Sequence, residues 1–346
     1  MSDKRIYVRP IARIAPAAAM PALAVAGRTD LRFAAAELIE RDGGKVRRRI
    51  VSAEEFRASQ LAPPELLERV GRLRDPIAGL ALDWPLIMGV VNVTPDSFSD
   101  GGRYLAPDAA IAHALRLEAE GADILDIGAE STRPGAEPVD LQEELRRVMP
   151  VIEALAPRAR ARLSIDTRKA EVMRRAAQSG AALINDVSAL THDPGAMQVA
   201  AETGLPVVLM HAQGDPRTMQ DSPHYADVVL DVYDWLGARI DACERAGIPR
   251  SRLIVDPGIG FGKTLAHNLA LLGALSIFHG LGCAVLLGAS RKRFIGELTG
   301  ADVEGRLPGS VAAALLGAGQ GVQILRVHDV AATRQALTVW EAAQGA

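Results

Sequence analysis

The sequence is poor in cysteine and in aromatic residues. Cys243 and Cys283 are the only thiols among 346 residues, which excludes a disulfide framework and an all-cysteine zinc site. Phe, Trp and Tyr together make 4% of the chain, too little for the aromatic-rich strands of most all-β proteins. Net charge is also small: 39 Lys and Arg against 42 Asp and Glu give −3, so no global basic field marks the chain for nucleic acid. No apolar run is long enough to span a bilayer, and no membrane association is expected. The most apolar stretch, Ile14–Gly27, follows Arg9 and Arg13 and ends in small residues, as a secretory signal would. Pro16 and Pro21 interrupt it, and Asp3 stands where basic residues belong. It therefore reads as an irregular segment covering another surface, and the expected compartment is the cytoplasm.

What is present is apolar and rhythmic. Hydrophobic residues make 49% of the chain, enough buried surface to offset chain entropy and to exclude a disordered protein. The first eighty residues, rich in Ala, Arg and Pro, differ in texture from the rest. There, Asp42-Gly43-Gly44 between Leu31–Arg41 and Lys45–Val51 predicts a β-hairpin. Ser52–Val70 reads as helical, broken at Pro63-Pro64. Arg47-Arg48-Arg49 reads as a solvated strand end. Residues 1–80 are thus expected to be an extension of unassigned role, packed outside or below a catalytic domain spanning 81–346.

From Leu86 onward, short apolar runs recur: Leu86–Val91, Ile124–Ile127, Leu163–Ile165, Leu183–Ile184, Val207–Met210, Leu253–Val255, Ala284–Leu287 and Ile324–Val327. Helical periodicity fills the gaps, as in Ala109–Glu120, Leu141–Leu155 and Ala170–Ser179. Gly121, Gly180, Gly204, Gly247, Gly282 and Gly321 precede strands by a few residues, as helix C-terminal glycines do. This alternation predicts an α/β fold, a (β/α)8 TIM barrel. The alternative, a doubly wound open sheet, usually carries a glycine-rich phosphate loop after its first strand, and that loop is missing. A barrel places its chemistry just after each strand, at the C-terminal rim.

Polar residues fall at those places. Asn92, Asp166, Asn185, His211, Asp256, Lys292 and His328 each follow a run, and Arg326 sits near the end of the last one. Asp186, Ser188 and Asp329 are equally readable as helix caps. Two carboxylates, an amide and an ammonium (Asp166, Asp256, Asn185, Lys292) suit a planar heterocycle with several ring N–H groups and a carbonyl, a guanine-like or pterin-like ring. Arg326 and His328, beside the start of the last helix, suit a phosphate. Asn92 reads either as a structural hydrogen bonder or as a neutral oxygen ligand of Mg2+ that shares a phosphate oxygen.

Met88-Gly-Val-Val-Asn-Val-Thr-Pro-Asp-Ser-Phe-Ser-Asp-Gly-Gly102 and Asp126-Ile-Gly-Ala-Glu-Ser-Thr-Arg-Pro-Gly135 resemble the first two signatures of the dihydropteroate synthases, folate-pathway enzymes inhibited by sulfonamides. The stretches around Asp166, Asn185, Asp256, Lys292 and Arg326-Val-His328 match in type and order, from about Leu86 to the C-terminus. The resemblance implies a transferase that joins 6-hydroxymethyl-7,8-dihydropterin pyrophosphate to p-aminobenzoate, giving 7,8-dihydropteroate and pyrophosphate. It implies that Asp166, Asn185, Asp256 and Lys292 hold the pterin. Asn92, Ser131, Arg326 and His328 would hold the pyrophosphate, with Mg2+ on Asn92. Phe98, Thr132, Pro134 and Phe261 would line the p-aminobenzoate pocket. Asp96, Asp100, Arg133 and Lys292 make up the implied catalytic set. Where many relatives carry Ser after the lysine, this chain has Arg293, which is assigned to the p-aminobenzoate carboxylate. The resemblance also implies a homodimer, with the apolar Ala312–Leu316 region as an interface. Two rivals remain at this stage: a pterin-dependent methyltransferase, which would need no pyrophosphate site, and a non-catalytic pterin-binding barrel.

Overall fold

The computed structural model describes residues 4–14, 22–28, 30–58, 62–93, 106–130, 139–214 and 222–345. Four strands form the N-terminal extension: β1 (Arg5–Ile14), β2 (Leu23–Ala24), β3 (Leu31–Asp42) and β4 (Lys45–Ser52). The long β3 is central, with β1 antiparallel on one edge and β4 and β2 on the other. Asp42 pairs with Lys45 across Gly43-Gly44, so the expected hairpin forms at the expected turn. Both glycines adopt positive φ there, the backbone that matches the strands' twist. The β1 partner was not anticipated, because its alternation is interrupted by Pro10 and by a register shift at Ile11/Ala12. Helices follow at Ala53–Ala58 and Pro64–Gly71, separated at the Pro63-Pro64 break.

The sheet of the extension has two buried faces. Val8, Leu31, Phe33, Ala36 and Leu38 pack on Phe56, Leu66 and Val70 of its own helices. Tyr7 and Ile39 join the core of the following domain. The contact surface is that domain's outer wall. Tyr7 Oη donates to Asp234 Oδ2 at 2.9 Å, Arg41 Nη1 to Asp231 Oδ1 at 2.8 Å, and Ser276 Oγ to the Pro10 carbonyl at 2.7 Å. Arg47, Arg48 and Arg49 are all exposed, as expected, and Arg48 pairs at the surface with Asp227 at 2.6 Å. Val25 and Ala26, within the stretch that resembled a signal, are fully buried in the extension's core.

Eight parallel strands then close into a barrel: β5 (Leu86–Asn92), β6 (Ile124–Gly128), β7 (Arg162–Asp166), β8 (Leu183–Asp186), β9 (Val207–Met210), β10 (Leu253–Asp256), β11 (Ala284–Leu287) and β12 (Ile324–Val327), with β12 returning to β5. Every predicted strand is present; β9, β11 and β12 keep the predicted bounds, and the others extend by a residue or two, most of them into their polar ends. Helices lie between them, including Ala106–Ala119, Leu141–Leu155, Ala170–Gln178, Val228–Arg245 and Leu265–Leu272.

Period-two alternation divides each barrel strand into outward and inward residues. Outward Leu125, Ile165, Leu209, Val255, Leu287 and Leu325 pack under the helices. Inward Met88, Ile124, Leu183, Val208, Ile254, Leu286 and Ile324 form a separate apolar floor. Ile77 and Leu82 plug that floor from below, Ile77 and Leu80 forming a small antiparallel bridge. Ile77 therefore packs with the barrel, although it precedes the expected boundary at residue 80. Among the described residues, no helix is long and apolar enough to cross a membrane.

Candidate active site

Two residues above the apolar floor, the same inward face turns polar. Ile124 is followed on that face by Asp126, Ser164 by Asp166, Leu183 by Asn185, Ile254 by Asp256, and Ile324 by Arg326. The alternation that builds the core thus also delivers side chains of opposite charge to one chamber. A methyl group at Gly288 would lie within 4 Å of Asp256 Oδ2, Arg326 Cβ and Lys292 Nζ, so three of these side chains surround one point.

Asp126 is the hub. Fully buried, it accepts from Ser164 Oγ at 2.6 Å, from Asn185 Nδ2 at 2.9 Å and from Arg326 Nε at 2.6 Å. Arg326 Nη2 donates to Asp166 Oδ2 at 2.7 Å. Sequence reasoning quoted Asp126 in a signature but gave it no role; its place two residues beyond an inward Ile was the available signal. Arg326 was expected to face pyrophosphate. Its guanidinium pairs with Asp126, fully buried, and with Asp166, whose side chain is 12% exposed, two carboxylates on neighbouring strands that need a cation. These carboxylates hold the guanidinium more firmly protonated than usual, despite its burial. Burial pushes the Asp166 carboxyl up from its ordinary range, against the pull of Arg326.

Asp256 and Lys292 make the second half. Asp256 Oδ1 accepts from the Gly258 N–H at 2.7 Å. Burial raises its pKa, opposed chiefly by Lys292. Lys292 donates to the Ile259 carbonyl and stands 4.6 Å from the centre of the Phe261 ring. Burial lowers its pKa to about 8, with Asp256 opposing. Phe261 is thus beside the chamber, under the lysine. Asn185 is in it, spent on Asp126.

Asn92 ends β5, in register with Gly128 of β6. His328 follows β12, the strand on β5's other side, and its backbone N–H donates to Ser290 Oγ at 3.2 Å. These two therefore share one corner of the rim. Beside them Arg291 makes a two-pronged contact with Asp329, at 2.9 and 2.5 Å. Asp329 is thereby committed to an ion pair, and Asp186 to a turn, accepting from Ser188 N, Ser188 Oγ and Leu190 N. Arg293 is not brought into the chamber: its side chain is 84% exposed and pairs with Glu297 at 2.7 Å, one turn along its own helix. Asp96, Phe98, Asp100, Ser131, Thr132, Arg133 and Pro134 lie outside the described residues.

Two further residues of this region have no role among the sequence expectations, although His211 follows an apolar run. Lys263 and His211 are both buried, with Lys263 Nζ 2.9 Å from His211 Nδ1.

A barrel with a polar interior chamber of this composition is the frame of a ring-binding enzyme, and comparison with known proteins places it. The family model described as pterin binding enzyme matches residues 88–328. The chain is 50% identical to dihydropteroate synthase of Escherichia coli (strain K12) over 263 residues, 76% of this chain and 93% of that protein. It is 52% identical over 272 residues to dihydropteroate synthase of Neisseria meningitidis serogroup B, covering 76% and 94%. Among solved structures, Xanthomonas albilineans dihydropteroate synthase with 4-aminobenzoic acid superposes with a TM-score of 0.75 at 56% identity, covering 79% of this chain and 98% of that one. The same enzyme in complex with 7,8-dihydropteroate gives 0.71 at 54% identity, covering 77% and 96%. The chain belongs to the pterin-binding enzyme family. Within that family it falls among the dihydropteroate synthases, transferases of folate biosynthesis.

Proposed function

We propose that the chamber binds the pterin ring of 6-hydroxymethyl-7,8-dihydropterin pyrophosphate and that the rim joins its methylene carbon to p-aminobenzoate. The observation that carries this reading is the set of inward polar residues from β6, β7, β8, β10 and β12, joined by Lys292 after β11. Asp256 and Asp166 accept from ring N–H and amino groups. Lys292 donates to the ring carbonyl side, and Phe261 offers a face to the second substrate. Relatives bearing 4-aminobenzoic acid and 7,8-dihydropteroate support the two-substrate arrangement.

In the reaction, the bond between the methylene carbon and the pyrophosphate oxygen breaks, leaving a carbocation delocalised into the ring. Asp256 and Asp166 stabilise that positive charge, and His328 and Asn92 face the departing anion. Arg326, held between Asp126 and Asp166, contributes its charge from within the chamber. The amino nitrogen of p-aminobenzoate attacks the carbon and then sheds a proton. Neutral aniline is nucleophilic enough that no Ser–His or Cys–His pair is required.

Mg2+ fits this corner as an ion that borrows its ligands. Among the described residues there is no cluster of three or more His, Cys, Asp or Glu for a full protein cage. Asn92 would supply one neutral oxygen, with pyrophosphate oxygens and water as the other donors. Bound there, Mg2+ would stabilise the charge of the leaving group. Of the expected Ala312–Leu316 interface, Ala313 and Ala314 are buried in the barrel's own core, and we assign the exposed Leu316, with Val339 on helix Val330–Gly345, to a homodimer interface. Sedimentation at two protein concentrations checks it. We place the enzyme in the cytoplasm.

The deciding assay mixes both substrates with Mg2+ and measures pyrophosphate and 7,8-dihydropteroate. Equimolar release that requires p-aminobenzoate supports the synthase. Pterin binding without turnover would favour a non-catalytic barrel, and methyl transfer from a methylpterin would favour a methyltransferase. A second measurement follows the order of binding. p-Aminobenzoate should bind poorly to free enzyme and tightly with pyrophosphate present; equal affinity in both states would contradict ordered binding.

A further inference from the structure

The loop after β10 is wedged against the loop after β9. At Gly258, with φ of 68°, a Cβ would stand 1.9 Å from the His211 carbonyl oxygen; at Gly262, with φ of 63°, it would stand 2.5 Å from that of Gln213. Only glycine permits both the backbone angle and the approach. Lys263 closes the loop. Its Nζ lies 2.9 Å from His211 Nδ1, 2.9 Å from the Phe261 carbonyl and 3.3 Å from the His211 carbonyl. An ammonium has three N–H groups, and here they meet three acceptors. Burial lowers the His211 pKa to about 3, so its ring is neutral, and with Lys263 charged the ring proton sits on Nε2. Burial pulls the Lys263 pKa down to about 7, with Asp256 opposing the fall and Lys292 adding to it.

We propose that Lys263 is a positioning residue for the reaction, holding the 257–263 loop on His211 so that Asp256 and Phe261 are set at the chamber wall. The inference rests on the pterin-synthase reading above and deepens it. One ammonium fixes the carbonyl of Phe261, whose ring lies under Lys292, and the same loop donates Gly258 N–H to Asp256. Tyr225 Oη adds a bond to the Gly262 carbonyl at 2.8 Å. The charged and titratable groups around Lys263 are His211 from β9, Asp256 from β10, His267 on helix Leu265–Leu272 and Lys292 after β11, with Arg326 of β12 beyond Asp256. Lys263 is one of the cations that oppose the upward push of burial on the Asp256 carboxyl.

The test is Lys263→Met in the full-length enzyme, with pterin pyrophosphate affinity read by calorimetry and p-aminobenzoate KM and kcat read by steady-state assay. The expected result is about a 10-fold weaker pterin affinity, the scale of a lost charge-assisted bond, and a KM for p-aminobenzoate raised more than kcat falls. The acid limb of pterin binding should move to higher pH, because Asp256 loses a facing cation. A purely structural lysine would lower the melting temperature and the active fraction while leaving Kd, KM and the acid limb of the folded fraction within about 2-fold, and that outcome overturns the proposal. If Lys263→Met does not fold, His211→Leu removes one of the three acceptors and should move pterin affinity and the p-aminobenzoate KM in the same direction; no movement in those two overturns it equally. Pterin affinity is read without turnover, so a wild-type chain that binds pterin but makes no dihydropteroate would reject the synthase reading and still test Lys263.

Discussion

Arg326 and Asp126 face each other across the floor of the chamber, the guanidinium Nε 2.6 Å from a carboxylate that is wholly buried. The second prong of Arg326 reaches Asp166 at 2.7 Å. One cation from β12 thus pairs with two carboxylates from β6 and β7, and the pterin chamber keeps its shape through that triad. Removing one partner of such a set is more damaging than the set is stabilising, because a buried charge is left uncompensated.

Arg326→Met should therefore destabilise the fold by about 3–5 kcal/mol, the usual cost of breaking a buried pair. Denaturant unfolding measures it. A loss below about 1 kcal/mol would mean that water or a rearranged neighbour replaces the guanidinium.

Asp256→Ala should weaken pterin binding by more than about 10-fold, since a hydrogen bond to a charged group is worth about 1.5–3 kcal/mol. Calorimetry with the pterin pyrophosphate reads this directly, and unchanged affinity would remove Asp256 from the site.

Arg293→Ala should leave the KM for p-aminobenzoate within about 2-fold, because the side chain is exposed and paired along its own helix. A rise of about 10-fold or more would show that Arg293 turns toward the substrate carboxylate after all.

His279 gives a pH prediction. It is fully buried where the extension meets the barrel, and burial, with Arg74 and Arg28 nearby, lowers its pKa to about 3. Below the ordinary value of about 6.5, the unfolded chain takes up a proton that the folded chain refuses. This contribution to stability is present above pH 6.5 and is lost as pH falls toward 3. At pH 5 the loss is about 2 kcal/mol. Buried carboxyls with raised pKa, such as Asp166 and Asp256, act in the opposite sense over part of this range. The informative quantity is thus the difference between the parent chain and His279→Gln. Unfolding free energies at pH 7.5 and pH 5 should show the variant losing about 2 kcal/mol less; parallel pH profiles would place His279 in contact with water.

Removing residues 1–71 should lower the melting temperature or solubility while keeping kcat within a few-fold. The sheet's contacts are with the barrel's outer wall through Asp231, Asp234 and Ser276, and the exposed apolar surface costs about 25 cal/mol per Å2. Removing residues 1–80 should be worse, because it also takes Ile77 from the floor. Normal pterin binding without turnover in the shorter deletion would mean that the extension reaches the active site.

The sequence by itself determined the strand ladder, the hairpin at Asp42-Gly43-Gly44, and the residue types at the strand ends. These are local properties: alternation of period two, turn residues, and a polar residue where an apolar run stops. It also carried the family, because several signatures agree in order. Pairing partners had to come from the tertiary structure. Arg326 looked like an anion binder, and only closure of the barrel brings it within reach of Asp126 and Asp166, 200 and 160 residues away in sequence. Arg293 follows Lys292 directly, yet the helix that begins there sends the two side chains in different directions, one over Phe261 and one into solvent. Lys263 and His211 are unremarkable in sequence and become a pair only when two rim loops are pressed together at Gly258 and Gly262. Sequence periodicity tells which face of a strand a residue occupies, but the strand across the chamber decides which charge it meets.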